Sequence, residues 1–402
     1  VSSLWCNVHG HQHPRIDAAI RDQLDKVAHT TLLGASNSTT IELARRLVKI
    51  SPAGLNHVFF SSDGSSSVEV ALKMAFQYWQ QRQDPRPAKT RFLAMTDAYH
   101  GDTLGSVSVG GVARFHAMFR PLLFDCIRVP SPVTYHAPAD ISRERAAEYY
   151  LGFVERTLAE RHEEIAALVV EPLVQAAAGI IVHPAGYLSG LRELTRRYDV
   201  LLIADEVAVG CGRTGRMFAC EQEGVSPDFL CLGKGLTGGY LPLAATLATS
   251  EVRDAFLGPY AAGCQFFHGH TFSGNPLAAA AALASLQVFE DDQVLARLPP
   301  KIDRIAWHLQ RLAQHRCVGD VRQCGMIAGI ELVRDKSTHT PFDWEEQRGR
   351  SVCRYARDEG VLLRPLGDVV VVMPPLAITL AEIDSIFAAV EHGITRATVD
   401  VQ

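Results

Sequence analysis

The sequence predicts an α/β fold in which helices cover both faces of a mostly parallel sheet, followed by a smaller α+β domain. Val200–Ala204 and Phe229–Leu232 are continuous apolar runs, as expected for strands buried on both faces of a parallel sheet. Helical patterns alternate with such runs until about residue 290, where the character of the sequence changes. We therefore expect a large domain over residues 1–290 and a small domain over residues 291–402, with the first residues as candidates for the small domain.

The elements of the large domain follow from local patterns along the chain. Apolar runs bounded by turn residues predict strands, and apolar positions three or four apart predict helices. The Ala-rich run Pro276–Val288 is too short to span a membrane and predicts a packed helix. The other predicted strands are His57–Phe60, Arg91–Met95, Ala167–Val170 and Leu241–Thr249, the last being the candidate for an antiparallel strand, and the predicted helices are Val68–Trp79 and Tyr187–Tyr198.

The small domain is predicted from a different succession of elements. A long helical stretch, Gln293–Gln314, leads to the strand Gly329–Val333. A helix near Trp344–Glu359 follows, and then two short apolar runs, Val361–Arg364 and Val369–Met373, predict strands. In this interpretation Arg364 ends a strand.

Composition excludes several classes of partner. The 402 residues carry 39 basic and 44 acidic side chains, so a net charge of −5 gives no reason to expect binding to nucleic acid or to an anionic membrane. Nine cysteines without a C-x-x-C pair indicate reduced thiols in a cytoplasmic protein. The sequence begins at Val1 without a secretory signal, and we expect that a native N-terminal segment precedes it.

The two buried runs deliver an acid and a lysine to the same edge of the predicted sheet. Asp205 ends the first run and Lys234 follows the second, and ligands of open α/β sheets bind beyond the carboxyl ends of the strands. Pyridoxal phosphate (PLP) chemistry needs both groups, a lysine for the Schiff base and a carboxylate for the pyridine nitrogen. Two alternatives stay open: ordinary strand-end residues, and a dinucleotide site at Gly233-x-Gly235-x-x-Gly238, which Pro242 disfavours because a helix should follow directly.

A Gly/Ser loop, from Asp63 through Gly64 and Ser65, joins a predicted strand to the helix that we place near Val68. Backbone N–H groups and the helix dipole make such a loop an anion site, suited to a phosphate. The alternative is simple helix capping, for which Ser66-x-x-Glu69 has the capping-box pattern. The Asp63 carboxylate would repel a phosphate unless it points away from the loop.

Three further segments are candidates for ligand contacts. Tyr99 follows the strand Arg91–Met95 and can stack on a ring, and the guanidinium of Arg364 suits bidentate binding of a carboxylate. Gly269 and Thr271 belong to a His-Gly-His-Thr loop that can contact phosphate through N–H and hydroxyl groups. Each also has an ordinary structural alternative, a turn or a surface side chain. The histidines at positions 9, 11 and 13 lack partners at ligand spacing, and we predict no metal site.

Taken together, these segments resemble the class III, fold type I, PLP-dependent aminotransferases. The resemblance covers the chain in order. Its main motifs are Asp205-Glu-Val-Ala-Val-Gly-Cys-Gly-Arg-Thr-Gly215, Gly233-Lys-Gly-Leu-Thr-Gly-Gly239 and His268-Gly-His-Thr-Phe-Ser-Gly-Asn-Pro276. It implies a seven-stranded type of sheet, PLP as the cofactor, Lys234 as the Schiff-base lysine, Asp205 as the partner of the pyridine nitrogen and Tyr99 over the ring.

The same resemblance implies the remaining cofactor contacts and a partner. Asp63, Gly64 and Ser65 fall at the phosphate loop, although the family usually has a small uncharged residue where Asp63 stands. The family forms homodimers with shared active sites, in which His270 and Thr271 reach the phosphate of the neighbouring subunit's cofactor.

Within the family, the chain is most similar to the branch that converts 8-amino-7-oxononanoate to 7,8-diaminononanoate in biotin synthesis. The segments that carry this similarity are Ser2-Ser-Leu-Trp5, Val68-Glu-Val-Ala-Leu-Lys-Met-Ala-Phe-Gln-Tyr-Trp79, Tyr99-His-Gly-Asp-Thr103 and Arg364-Pro-Leu366. It implies that Leu4, Trp5, Tyr99 and Gly269 contact substrate and that Arg364 holds the carboxylate of the acceptor.

The sequence also favours one amino donor and leaves two alternative functions open. Leu4 replaces an aromatic residue that is typical of members using S-adenosylmethionine, which favours L-lysine as the donor over S-adenosylmethionine. One rival function is an ω-amino-acid transaminase or aminomutase on the same scaffold. The other is a catalytically silent homologue that only binds, against which the joint presence of Lys234 and Asp205 argues.

Overall fold

The computed structural model describes residues 1–138 and 141–401, which form a seven-stranded sheet, a four-stranded sheet and a two-stranded hairpin. The strands are β1 (Leu55–Ser61), β2 (Arg91–Met95), β3 (Ile127–Val129), β4 (Ile165–Val170), β5 (Val174–Gln175), β6 (Ile181–Val182), β7 (Leu201–Asp205), β8 (Phe229–Leu232), β9 (Ala244–Thr249), β10 (Val318–Cys324), β11 (Ile327–Leu332), β12 (Arg364–Leu366) and β13 (Val369–Val372). The helices are α1 (Ser2–Trp5), α2 (Pro14–Leu24), α3 (Ser38–Ile50), α4 (Gly64–Gln81), α5 (Leu104–Val109), α6 (Ala113–His116), α7 (Ala146–Arg161), α8 (Tyr187–Arg197), α9 (Ser250–Asp254), α10 (Pro276–Asp291), α11 (Pro299–Leu312), α12 (Arg348–Asp358) and α13 (Leu380–Ala397).

The large sheet is mostly parallel, with the strand order β1-β9-β8-β7-β4-β2-β3. Among the described strands of this sheet, β9 runs opposite to the others: it is antiparallel to β1 and to β8, and the pairs β8–β7, β7–β4, β4–β2 and β2–β3 are parallel. Every residue of β4, β7 and β8 is buried, as their apolar sequences require. The predicted fold class is therefore confirmed, and the predicted antiparallel strand exists from Ala244 onward.

The four-stranded sheet is antiparallel and has the order β10-β11-β13-β12. The start of the chain lies against it, since the Leu376 N–H donates to the Val8 carbonyl at 2.8 Å and the Ser2 hydroxyl donates to the Met373 carbonyl at 2.9 Å. The division of the chain at residue 290 stays a prediction, and α10 runs one residue past it, to Asp291. No helix in the described part of the chain is long and apolar enough to cross a bilayer.

Helix α4 begins at Gly64, four residues earlier than predicted. The capping residue is Asp63, whose carboxylate accepts hydrogen bonds from the Ser66 N–H and hydroxyl, both at 2.9 Å. The Ser66-x-x-Glu69 capping box is therefore wrong. Glu69 turns to the next segment and accepts from the Gly105 N–H at 2.7 Å.

Two predicted elements of the second half differ from the structure at glycine or proline. The stretch Gln293–Gln314 is not one helix, because α11 starts at Pro299, where the fixed proline φ suits a first turn. The run Val361–Arg364 is not a strand. Gly360 has a φ of +80°, and the Val361 N–H donates to the Ala356 carbonyl at 2.9 Å, so Val361 belongs to the C-terminal cap of α12. Arg364 is the first residue of β12 and does not end a strand.

Candidate active site

The carboxyl ends of β2, β4, β7 and β8 meet around one cavity of about 150 Å³. Four parallel strands thus present the residues that follow them to a common space, at the edge where open α/β sheets bind ligands. The lining residues are Trp5, Asp63, Gly64, Ser65, Tyr99, His100, Gly101, Glu171, Asp205, Val207, Ala208 and Lys234. The structure therefore brings together six residues that the sequence proposed for the cofactor: Asp63, Gly64, Ser65, Tyr99, Asp205 and Lys234.

Lys234 follows β8 and has a φ of +40°, a conformation that non-glycine residues seldom adopt and that recurs at functional sites. Its Nζ lies 5.0 Å from the centroid of the Trp5 ring. Burial lowers the pKa of Lys234, although the negative charges of Asp205 and Glu171 oppose that shift. A lysine with a lowered pKa holds more of the neutral amine that nucleophilic and general-base chemistry requires.

Asp205 is buried at the end of β7 and is held by two donors. The His100 ring donates through Nδ1 to Oδ2 at 2.7 Å, and the Val207 N–H donates to Oδ1 at 3.0 Å. The Nε2 of His100 is buried and has no hydrogen-bond partner within the described residues. The sequence analysis named Tyr99 as a candidate but did not predict a role for His100. The position of His100 directly after Tyr99 could have indicated one.

Glu171 is a second buried carboxylate that the sequence analysis missed. It follows β4 and accepts from the Tyr99 N–H at 3.1 Å and from the Ala176 N–H at 2.9 Å. Burial raises its pKa to about 7. The rule that singled out Asp205, an acid directly after a buried strand, would have found Glu171 as well.

Glu206 lies beside Asp205 in sequence but not in the site. Its two oxygens accept from the Ala219 and Cys220 N–H groups at 2.7 and 2.8 Å, and the residues that line the cavity do not include it. Successive side chains at a strand end point in opposite directions, so one carboxylate enters the cavity and the other holds the following loop.

The N-terminus of α4 also lines the cavity, and its N–H groups suit an anion. The first backbone bond of α4 runs from the Ser67 N–H to the Asp63 carbonyl, which leaves the N–H groups of Gly64 and Ser65 without an intrahelical acceptor. Because the Asp63 carboxylate is turned back onto Ser66, it does not occupy this position. Both Asp63 oxygens are thus engaged in capping α4, although Asp63 itself still lines the cavity.

The residues fit PLP on a geometric ground as well. A Cβ added to Gly64 would lie 2.4 Å from Cγ1 of Val207, so the missing side chain leaves room between the loop and the cavity wall. Tyr99 lines the same cavity and offers an aromatic surface. One cavity thus presents a carboxylate, a helix N-terminus and an amine, the three groups that suit the ring nitrogen, phosphate and aldehyde of PLP.

A second cavity, of about 250 Å³, adjoins the first and shares Trp5, Tyr99 and Lys234 with it. Its other lining residues are Leu4, Asp102, Phe115, Ala177, Arg364 and Leu366. Four of the predicted substrate residues, Leu4, Trp5, Tyr99 and Arg364, thus line one space. Phe115 and Ala177 were not predicted, because nothing local in their segments indicates a ligand.

The Tyr99 hydroxyl in this second cavity donates to Oδ2 of Asp102 at 2.8 Å. Burial and this hydrogen bond to a carboxylate raise the pKa of Tyr99. Tyr99 therefore keeps its proton at neutral pH and donates it in a hydrogen bond to Asp102.

The loop with Gly269, His270 and Thr271 lies apart from both cavities, whose described lining residues do not include it. These three residues are exposed, and Lys73 Nζ lies 3.0 Å from Nδ1 of the neighbouring His268. Their contacts with substrate and with a neighbouring subunit's cofactor stay predictions.

Comparison with known proteins gives the class first. The family model described as "Aminotransferase class-III" matches residues 1–394, and the chain belongs to this family of PLP-dependent aminotransferases. The predicted family, fold type and cofactor are thus confirmed.

Individual relatives are similar over nearly the whole chain. The adenosylmethionine-8-amino-7-oxononanoate aminotransferase of Nitratidesulfovibrio vulgaris is 56% identical over 398 residues, which are 99% of this chain and 73% of that protein. The crystal structure of the enzyme of the same name from Methanocaldococcus jannaschii matches with a TM-score of 0.93 and 42% identity over 98% of this chain and 88% of its own. The ω-transaminase of Pseudomonas jessenii in complex with PMP matches with a TM-score of 0.95 and 32% identity, over 100% of this chain and 88% of its own.

Proposed function

We propose that this protein converts 8-amino-7-oxononanoate to 7,8-diaminononanoate in biotin synthesis. The observation that carries the proposal is the second cavity, which is lined by Arg364, by Lys234 and by several apolar side chains. The acceptor has matching groups, since its carboxylate and its ketone lie at opposite ends of an apolar chain. The ammonium beside the ketone finds a carboxylate in Asp102, which lines the same cavity. The names of relatives up to 56% identical support the same substrate.

The chemistry follows from the residues around the first cavity. PLP, when bound, carries the amino group from one substrate to the other and accepts the electron pair left at the donor carbon. Lys234 accepts and returns a proton through Nζ, because its lowered pKa keeps a neutral amine accessible. Asp205 supplies a fixed negative charge, and His100 holds that carboxylate in place. Trp5 and Tyr99 line both cavities beside the amine.

The amino donor has two candidates, each with its own observation. The names of the relatives indicate S-adenosylmethionine. Leu4 lines the second cavity with half of its surface exposed, where an aromatic wall for a large donor was expected, and this favours L-lysine. A single-turnover assay that follows the absorbance of bound PLP separates them, because only the true donor converts the cofactor to its amino form at a useful rate.

The acceptor assay tests the proposal itself. Protein that has been converted to the amino form should be returned to the PLP form by 8-amino-7-oxononanoate. The second candidate function, an ω-amino-acid transaminase, is favoured by the match to the Pseudomonas jessenii enzyme. If simple keto acids and aldehydes restore the PLP form while 8-amino-7-oxononanoate does not, the biotin-pathway function is overturned and the ω-transaminase function stands.

We also propose that the protein is a cytoplasmic homodimer with shared sites. Large apolar side chains near the His270 loop, Tyr260, Phe267 and Phe272, are 88%, 76% and 61% exposed, which is typical of a surface that a second copy covers. Mixing Lys234→Ala chains with His270→Ala/Thr271→Ala chains tests sharing. Mixed dimers should regain activity, because one of their two sites then contains every native residue, whereas unshared sites would stay inactive.

A further inference from the structure

The structure contains a guanidinium that is fully buried without an acid partner. Arg213 is 1% exposed and lies in the loop that follows Asp205. It donates through Nη1 to the Pro374 carbonyl, and through Nη2 to the Ser2 hydroxyl at 2.8 Å and the Trp5 carbonyl at 3.2 Å. Every acceptor is a neutral oxygen, and no carboxylate of the described chain lies within ion-pair distance of it.

Such an arrangement is costly for the fold. A buried charge loses its hydration, and neutral oxygens return only part of what a carboxylate would supply. Burial accordingly lowers the pKa of Arg213 to about 10, and its Nε has no partner within the described residues. A smaller neutral side chain at this position would avoid this cost. A buried arginine here therefore indicates that its hydrogen bonds have a function that offsets the cost.

The segment that Arg213 holds is itself strained. Ser2, Ser3 and Trp5 have φ values of +42°, +60° and +67°, which place three non-glycine residues in the left-handed region within four positions. Strain of this kind persists only where the surrounding structure determines the conformation. The Ser2 hydroxyl accepts a hydrogen bond from Arg213 and donates one to the Met373 carbonyl at 2.9 Å. The Ser2 side chain therefore links this segment both to Arg213 and to the backbone at Met373.

The strained segment shapes the site. Trp5 lines both cavities and its ring centroid lies 5.0 Å from Lys234 Nζ, and Leu4 lines the second cavity. We propose that Arg213 is a positioning residue, which holds Ser2–Trp5 in its strained conformation and so sets the Trp5 ring against the Lys234 amine. The inference rests on the proposed function only in taking Lys234 as the reacting lysine.

The matched pair Ser2→Ala and Ser3→Ala tests this without removing the buried charge. Both serines have positive φ, but only the Ser2 hydroxyl is bonded to Arg213, while Ser3 is exposed. In the holoenzyme of Ser2→Ala, hydrogen exchange at the amides of Trp5, Cys6 and Asn7 should be roughly 10- to 100-fold faster, as expected for one lost hydrogen bond to a charged group. Ser3→Ala should match the wild type. Equal exchange in both variants, or faster exchange in every peptide of Ser2→Ala, would overturn the proposal.

Two site readouts complete the experiment. Ser2→Ala should raise the KM of whichever amino donor turns over, by at most roughly 10- to 100-fold, the full value of the lost hydrogen bond, with kcat nearly unchanged. It should also shift the pH midpoint of the bound cofactor's absorbance, since the Trp5 ring lies 5.0 Å from Lys234 Nζ. If exchange accelerates while the KM and the midpoint stay at wild-type values, the segment does not shape the site and the proposal is wrong. Failure to use 8-amino-7-oxononanoate would overturn the proposed function alone, because exchange and the midpoint need no turnover.

Arg213→Lys provides the stronger perturbation. A lysine keeps the charge but cannot donate to three oxygens from a planar group, so the same changes should be larger than in Ser2→Ala. Should Arg213→Lys fail to fold, Ser2→Ala decides the question by itself.

Discussion

His100 donates through Nδ1 to Oδ2 of Asp205 over 2.7 Å, and both side chains are almost completely buried. The Val207 N–H occupies the other oxygen at 3.0 Å, so the carboxylate of Asp205 is held in one orientation. A preorganised charge is worth more to a reaction than one that must reorient, because no reorganisation is needed as charge develops. We therefore expect the imidazole to influence the site through the carboxylate that it holds.

His100→Phe should lower kcat roughly 10- to 100-fold while the protein stays folded, because an aromatic ring, although a larger one, is retained and one hydrogen bond to a charged group is lost. Steady-state kinetics and the pH dependence of the cofactor absorbance check this. His183→Phe is the matched control, since His183 is also buried, with both ring nitrogens unpartnered within the described residues, and lies away from the cavity. Comparable losses in the two variants would mean that His100 matters only for packing.

Lys234→Ala should lower transamination by roughly 10²- to 10⁴-fold or more, the usual contribution of a positioned acid–base group. PLP should still bind, without a covalent bond. In the wild type, borohydride reduction followed by peptide mapping should label Lys234. Lys301→Ala, which removes a part-buried lysine that donates to the Leu376 carbonyl, should keep the label. A label on another lysine in the wild type would refute the assignment.

Gly64→Ala should weaken PLP binding roughly 10- to 100-fold, because the added Cβ would lie 2.4 Å from Cγ1 of Val207, and relieving such overpacking costs about 1–3 kcal/mol. Titration of the PLP-free protein measures the Kd. Gly190→Ala creates an equally close contact with Leu151, at 2.3 Å, away from the cavity. It should lower the Tm and leave the Kd unchanged. Equal Kd changes would show that the effect is on the fold.

Arg364→Ala should raise the KM of the keto acceptor roughly 10- to 100-fold, because a charged hydrogen-bond partner of its carboxylate is lost. A donor half-reaction that does not use this guanidinium should keep its rate. Arg350→Ala, which removes an exposed guanidinium bonded only to Gln347 among the described residues, serves as the control. An unchanged acceptor KM in Arg364→Ala would place the carboxylate elsewhere.

Lys89 predicts a pH dependence of stability. It is buried, donates to the carbonyls of His162, Ile165 and Asp199, and desolvation lowers its pKa from 10.5 to about 8. Between these pH values the unfolded chain binds more protons than the folded one, so this group adds stability as pH rises from about 8 to 10.5 and opposes folding below 8. The difference in unfolding free energy between wild type and Lys89→Met should therefore grow in favour of the wild type over that range. A difference that is flat with pH would refute the shift.

Several features were predictable from the sequence alone, because they depend on local patterns. The apolar runs that became β7 and β8 could only be strands buried on both faces, and the residues at their ends had to meet at one edge of the sheet. Lys234 and Asp205 were found in this way. The family also follows from the sequence, because its motifs lie in order along the chain.

Only the tertiary structure decided which side chains touch. His100 and Asp205 are 105 positions apart, and Arg213 and Ser2 are 211 apart, so no periodicity relates them. The direction of the Asp63 carboxylate depended on where α4 begins, which a capping pattern three residues later concealed. A local pattern gives the face on which a residue lies, whereas its partner on that face depends on how distant segments pack. Lys234 could therefore be predicted from the sequence, but the buried residues that position the groups around it could not.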